Sequence, residues 1–258
     1  MQPDNSRADA WDLLCEWTQS DSLRRHMLAV EAAMRTYAPR FDGDPDLWGL
    51  TGLLHDLDYE RYPDLGDGHP RYALRELEAR GYPPELVRAV ASHADFMGVP
   101  RETPMEKALF AVDELSGFIL ACAYVRPEGL VGMTPKSVKK KFKQPSFAAA
   151  VSRDDMREGA EGLGVDFDEH LTIVIGALTE RRDVLMPAAG DGDSGDSDDS
   201  RDPGDSDDSR DPGDSDDSRD PGDSGDSRDS GDSRADGGAP TGEAPASRAP
   251  AAGASADA

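Results

Sequence analysis

The chain has 258 residues, of which 53 are acidic and 28 basic, for a formal net charge of −25. That balance argues against general binding to nucleic acid, whose phosphates it would repel. Its two cysteines, Cys15 and Cys122, lie far apart in no zinc spacing and read as reduced thiols. The N-terminus (Met1-Gln2-Pro3-Asp4-Asn5) lacks the basic and apolar regions of a signal peptide, and the longest apolar run, Phe118 to Val125, is too short to span a bilayer. The expectation is a soluble, cytoplasmic protein with no membrane partner.

In chain order, Ala8 to Gln19 reads as a first helix with Trp11, Leu14 and Cys15 inward. Asp21 or Ser22 caps a second. There Leu23, Met27, Val30, Met34 and Tyr37 recur at spacings of three and four, and His26 falls on that buried face. Pro39 ends it, and Phe41 to Asp46 is a Gly/Asp/Pro loop. A third helix starts near Pro45. Its stripe of Leu50, Leu53, Leu54 and Leu57 has His55-Asp56 set within it. A carboxylate buried there must be paired or must coordinate something. Tyr59 to Gly68 is a loop, and a short helix follows from His69-Pro70 and closes at Gly81. Pro84 opens another, with Leu86, Val90, His93 and Met97 on one face. Thr103-Pro104 starts a long helix whose stripe of Met105, Leu109, Val112, Ser116 and Ile119 includes Asp113. A basic patch, Lys136 to Lys143, reads as a solvated loop. Phe147 to Val151 and Asp154 to Leu163 read as helical. A last helix runs from Asp166 or Asp168 to near Leu185. No alternating strand pattern of useful length occurs, so the fold class is all-α.

The chain divides at residue 187. Residues 188–258 hold 21 acids and six arginines and no large apolar residue. The nine residues Asp196 to Gly204 (DSDDSRDPG) recur at 205–213 and 214–222. A period with nothing to bury makes neither a solenoid nor a coiled coil, so this acidic tail is expected to be disordered, with 1–187 as the folded domain.

Six side chains then stand out on inward faces or near caps: His26, His55, Asp56, His69, His93 and Asp113. They include four of the five histidines, the fifth being His170 on the last helix. Singly, each has an ordinary structural explanation. Together, on separate segments of an acidic chain poor in histidine, they point to metal. Mixed nitrogen and oxygen donors without thiolate suit Mn, Fe, Co, Ni, Zn or Mg, and six donors suffice for one or two ions.

The order H…HD…H…H…D resembles the HD superfamily of metal-dependent phosphohydrolases in its binuclear form, across roughly residues 20 to 185. The resemblance implies an all-α HD-domain bundle. It implies that His26, His55, Asp56 and Asp113 hold one metal, and that His69 and His93 hold a second with Asp56 bridging. Two features depart from the family pattern. Only thirteen residues separate His55 from His69. The doublet is followed by Leu57-Asp58-Tyr59 and not by Ile-Gly-Lys, so a phosphate-facing lysine is missing there. Gly81-Tyr82-Pro83 is not the GYP motif of cyclic-dinucleotide phosphodiesterases, because it precedes His93.

The chemistry expected is hydrolysis of a phosphate ester, a nucleotide or small phosphorylated metabolite, by water activated on two metals. Asp56, Asp58 and Glu60 are the candidate catalytic acids, with Asp95 of similar status. Arg61, Lys139, Lys140 and Lys143 are the candidate phosphate-binding residues, although a solvated basic loop is the plainer reading of the lysines. Two other readings share these ligands: a di-iron oxygenase, and a non-catalytic nucleotide-binding regulatory domain.

Overall fold

The computed structural model describes residues 5–186. The acidic repeat expected to be disordered lies outside the described residues. Among the described residues there are ten α-helices and no strand. They are α1 (Arg7–Trp17), α2 (Asp21–Tyr37), α3 (Pro45–Leu54), α4 (Arg71–Ala79), α5 (Pro84–His93), α6 (Pro104–Tyr124), α7 (Pro135–Phe142), α8 (Arg153–Leu163), α9 (Phe167–Glu180) and α10 (Arg182–Leu185). The all-α reading therefore holds over this region.

Local chemistry sets most of these boundaries. Ser6, Ser20, Asp44, Thr103, Thr134, Ser152 and Asp166 each cap a helix by accepting a backbone N–H near its start. For α6, Thr103 and Glu106 form a reciprocal capping box, with Pro104 in the first turn. α4 ends before Gly81, at φ 73°, and α8 ends at Gly164, at φ 68°, left-handed positions that favour glycine.

Helices α2 and α6 are the hub. α2 packs on α3, α6 and α9, and α6 packs on α2, α5 and α8. Met27, Val30 and Met34 of α2 meet Leu53, Leu54, Leu109, Leu115 and Phe118 in one continuous core. A fully buried side chain of this size stabilises the fold by about 1.5–3 kcal/mol. α2 and α3 approach closely at Gly52. A Cβ there would lie 2.8 Å from the Val30 carbonyl oxygen and 2.9 Å from the Glu31 nitrogen. That approach brings His26 and His55 together.

Four sequence expectations are corrected. Ser20, not Asp21 or Ser22, caps α2, its hydroxyl accepting from the Leu23 N–H. The lysine-rich segment is not a loop but α7. Thr134 and Ser137 cap it reciprocally, Val138 is buried, and Phe142 packs edge-on against Phe118 and Phe167. Phe147 to Val151 is a run of turns, not a helix. Lastly, α3 ends at Leu54, with His55 as its C-cap. The chain then tightens into turns, with Leu57 N–H bonding to Leu54 C=O and Tyr59 N–H to Asp56 C=O. His55-Asp56 therefore occupies the exit of the helix, while the leucine stripe stays buried as expected.

Candidate metal centre

Five segments deliver the six donors to one place. α2 carries His26, the exit of α3 carries His55 and Asp56, the approach to α4 carries His69, the last residue of α5 is His93, and α6 carries Asp113. Their ligand atoms fall into two groups that share one residue. His26, His55 and Asp56 each bring an atom within 4.8 Å of the others, and so do Asp56, His69 and His93.

In the first group, His26 Nε2 is 3.0 Å from Asp113 Oδ1 and 3.9 Å from Asp56 Oδ2. His55 Nε2 is 3.3 Å from Asp113 Oδ1 and 3.4 Å from Asp56 Oδ2. In the second group, His69 Nε2 and His93 Nε2 are each 3.5 Å from Asp56 Oδ1 and 3.3 Å from each other. The two oxygens of Asp56 thus face different groups.

The residues fit a metal on two observations. First, His55 Nε2 is buried and has no hydrogen-bond partner, an exposed cost in a protein interior unless something else meets it. Second, ligands about 2.0–2.2 Å from a first-row ion, at tetrahedral or octahedral angles, lie roughly 3.0–3.5 Å apart, as these atoms do. His69 Nε2 and His93 Nε2, 3.3 Å apart, converge in the same way on Asp56 Oδ1.

The ring tautomers are set from behind. His55 Nδ1–H donates to Gly52 C=O at 2.8 Å and His93 Nδ1–H to Val90 C=O at 2.5 Å, both carbonyls one turn earlier. His69 Nδ1–H donates to Asp58 Oδ1 at 2.8 Å. Each ring therefore presents Nε2 to the centre. Tyr59 and Phe96 flank the His69 ring, with centroids 5.3 and 6.5 Å away.

The electrostatics follow from the crowding. Burial works to lower the His55 pKa, but the charges of Asp56 and Asp113 outweigh it and carry the imidazole well above its ordinary value. Burial works to raise Asp56 and Asp113. The His55 charge, with hydrogen bonds from His93 or His26, holds both well below the usual carboxylate range. Burial, then the Asp113 charge, pushes the neighbouring Glu114 up to about 7.

The remaining sequence candidates lie elsewhere or act differently. Asp58 is fully buried, with Oδ1 on His69 and Oδ2 accepting from the Ala73 N–H at 2.8 Å. It is enclosed and engaged at both oxygens, so it holds the His69 ring in place and has no face for proton exchange with a substrate. Glu60 Oε2 accepts from the Gln19 and Ser20 N–H groups at 2.8 and 3.0 Å, tying the α1–α2 turn. Arg61 lies over the Trp17 ring at 4.8 Å and donates to Glu16 C=O. Lys139 pairs with Asp168 of α9 at 2.7 Å. None of Glu60, Arg61, Lys139, Lys140 and Lys143 lines the cavity over the centre. Asp95 does line it, paired with Arg101 at 2.5 Å. Sequence reading missed two further wall residues, Glu114 and Asp155. The signal for Glu114 was present in a second carboxylate beside Asp113 on an otherwise apolar helix.

His170 stands apart. It is buried against Tyr37, whose hydroxyl lies 2.5 Å from Nδ1, while Nε2–H donates to Ala111 C=O at 2.9 Å. Both nitrogens are satisfied inside the core, and burial lowers its pKa to about 4.

No helix among the described residues is long and apolar enough to cross a membrane. No curated protein and no solved structure matches the chain. Residues 23–117 match the family model of the HD domain, a span that runs from α2 into α6 and contains all six donors.

Proposed function

We propose that the protein is a binuclear phosphohydrolase that cleaves a small phosphate ester. One observation carries this reading. Two donor groups share Asp56, one oxygen to each, and the buried His55 Nε2 faces the carboxylates of Asp56 and Asp113 at 3.4 and 3.3 Å without an aligned hydrogen bond to either. His26, His55, Asp56 and Asp113 would hold one divalent ion. His69 and His93 would hold the second, with Asp56 between them.

When bound, such a pair supplies Lewis acidity toward a phosphoryl oxygen and a water of lowered pKa. The rest is the work of this chain. The carbonyls of Gly52 and Val90 and the Asp58 carboxylate keep the protons of His55, His93 and His69 on Nδ1, so that Nε2 is free. Asp56 and Asp113, held ionised, supply the negative charge that makes the centre selective for cations. The cavity above, about 550 Å³, is large enough for a small ester and opens to solvent beside Tyr59, Leu65 and Phe96.

Elemental analysis of the purified chain, with a phosphate-ester screen under Mn²⁺, Co²⁺, Fe²⁺ and Zn²⁺, tests the reading. Two equivalents of metal and phosphate release are expected, both lost in Asp56→Ala. O₂ uptake by an iron-loaded sample without phosphate release would replace it with the oxygenase reading. Full activity in Asp56→Ala would end it.

A further inference from the structure

The cavity over the centre has an unusual wall for a phosphate site. Among the described residues that line it there is no lysine or arginine, whereas Asp56, Asp95, Asp113, Glu114 and Asp155 are all present. Asp56 and Asp113 belong to the metal centre. Asp95 is neutralised by Arg101, whose guanidinium lies 3.6 Å over the Phe110 ring and is not itself part of the lining. Glu114 accepts only the Ser152 N–H, at 3.2 Å, and Asp155 sits on the same wall. Among the described residues neither forms an ion pair with a lysine or arginine.

The other half of the wall is apolar. Tyr59, Leu65 and Phe96 line it while remaining 43%, 50% and 45% exposed, and Phe110 and Val151 extend the surface. Exposed apolar groups gathered at the mouth of a polar centre mark a surface that a ligand covers.

We infer that the substrates are phosphate monoesters whose reacting phosphoryl is their only anionic group, carried on an uncharged or cationic alcohol with an apolar or aromatic body. The inference rests on the hydrolase reading and narrows it. Two divalent ions bring four positive charges, of which Asp56 and Asp113 offset two. A phosphoryl dianion takes up that remainder, so the ions leave no positive charge for a second anion. A second phosphoryl or a carboxylate on the leaving group would find no lysine or arginine in the lining and would face Asp155. The lysines of α7, the cations nearest to a phosphate-binding role in the sequence, do not line this cavity. Polyphosphates and dinucleotides are therefore disfavoured. Like charges several ångströms apart in a partly solvated cleft cost about a tenfold loss in binding per added anion.

The test uses a matched series on the full chain loaded with Mn²⁺. Turnover is measured on phenyl phosphate, 4-carboxyphenyl phosphate and 4-(aminomethyl)phenyl phosphate. Binding is measured by calorimetry with the non-hydrolysable pair phenylphosphonate and 4-phosphonobenzoate. The carboxyl group should lower both kcat/KM and affinity about tenfold, and the aminomethyl group should not lower them. Asp155→Lys should narrow the phenyl-to-carboxyphenyl ratio with two metals still bound. Equal affinity for the two phosphonates, or equal turnover of the phenyl and carboxyphenyl esters, overturns the inference. Absence of turnover on every ester, with metal bound, is a different failure. It removes the hydrolase reading itself, and this substrate class with it.

Discussion

Asp58 gives the sharpest test of how the centre is built. In the first group, four residues surround the ligand atoms, two of them carboxylates. The second group has two imidazoles and one shared oxygen of Asp56. That poorer set depends on His69 presenting Nε2 in a fixed tautomer and orientation. Asp58 fixes both through a 2.8 Å bond to Nδ1–H, while its other oxygen is anchored by Ala73 N–H at 2.8 Å. In Asp58→Asn the single amide oxygen cannot serve both donors. Either Ala73 N–H or His69 Nδ1–H then faces an NH₂ group, or the ring changes tautomer and turns an N–H toward the metal. A hydrogen bond to a charged partner is worth about 1.5–3 kcal/mol. That corresponds to roughly 10–100-fold in affinity, the range found when a carboxylate behind a metal-bound histidine is removed. The loss should fall on one metal only. Titration of the metal-free protein with Mn²⁺, followed by elemental analysis at limiting metal, should show two equivalents in the wild type and one in D58N, the tighter site unchanged. Thermal melting of the metal-free proteins measures the separate cost at Ala73, about 1–3 kcal/mol if that N–H is left unsatisfied. D58N binding two metals at wild-type affinity, or losing both alike, would refute the assignment of Asp58 to the second site.

Three more outcomes follow from the same geometry. Gly52→Ala places a Cβ against the Val30 and Glu31 backbone, which cannot swing aside as a side chain would. It should cost about 1–3 kcal/mol in chemical denaturation and weaken the site that joins His26 of α2 to His55 of α3. Metal binding should release a proton at pH 7, because Asp56 and Asp113 keep His55 protonated above its ordinary range in the metal-free fold and a ligand imidazole must be neutral. Calorimetry in buffers of different ionisation enthalpy counts that proton, and affinity should fall as pH falls. His170 is shifted the other way from His55. Its folded pKa is depressed to about 4, so its contribution is complete above the unfolded value near 6.5 and is lost as pH falls from there toward 4, by at most about 3 kcal/mol. Urea denaturation of metal-free wild type and His170→Gln at pH 7.5 and 4.5 isolates the term as a difference, and identical pH slopes would remove it.

Helix positions were legible wherever a single residue carries the reason. Thr103-Pro104 with Glu106, and the glycines at 81 and 164, declare starts and stops through caps and left-handed backbone. α7 was harder because its charges dominate its composition. What makes it a helix is Thr134 paired with Ser137 and two apolar contacts, Val138 and Phe142, with partners far away in sequence. The six donors were legible because their residue types are scarce and their order is distinctive. The phosphate-binding candidates were chosen for charge alone, and charge carries no information about direction. Arg61 points to Trp17 and Lys139 to Asp168, each held by a partner that only the fold supplies.

The corrected end of α3 has a consequence for the doublet. Inside a regular helix, His55 and Asp56 would diverge by about 100° and could not both enter one centre without exposing the leucine stripe. At the helix exit the constraint relaxes. His55 keeps its helical position, tied to Gly52 C=O, and Leu57 stays buried. Asp56 sits in the first turn beyond, free of the helical register, where its carboxylate lies between the two groups. The same tight turns carry Asp58 inward and Tyr59 outward, one to hold His69 and the other to line the cavity. Five consecutive residues thus supply a candidate ligand, the donor common to both groups, a core leucine, the anchor of His69 and a wall of the cavity. A substitution that extended α3 by one turn should therefore disrupt both metal positions at once, as loss of the shared Asp56 does, whereas a variant at His26, His69, His93 or Asp113 disrupts only its own.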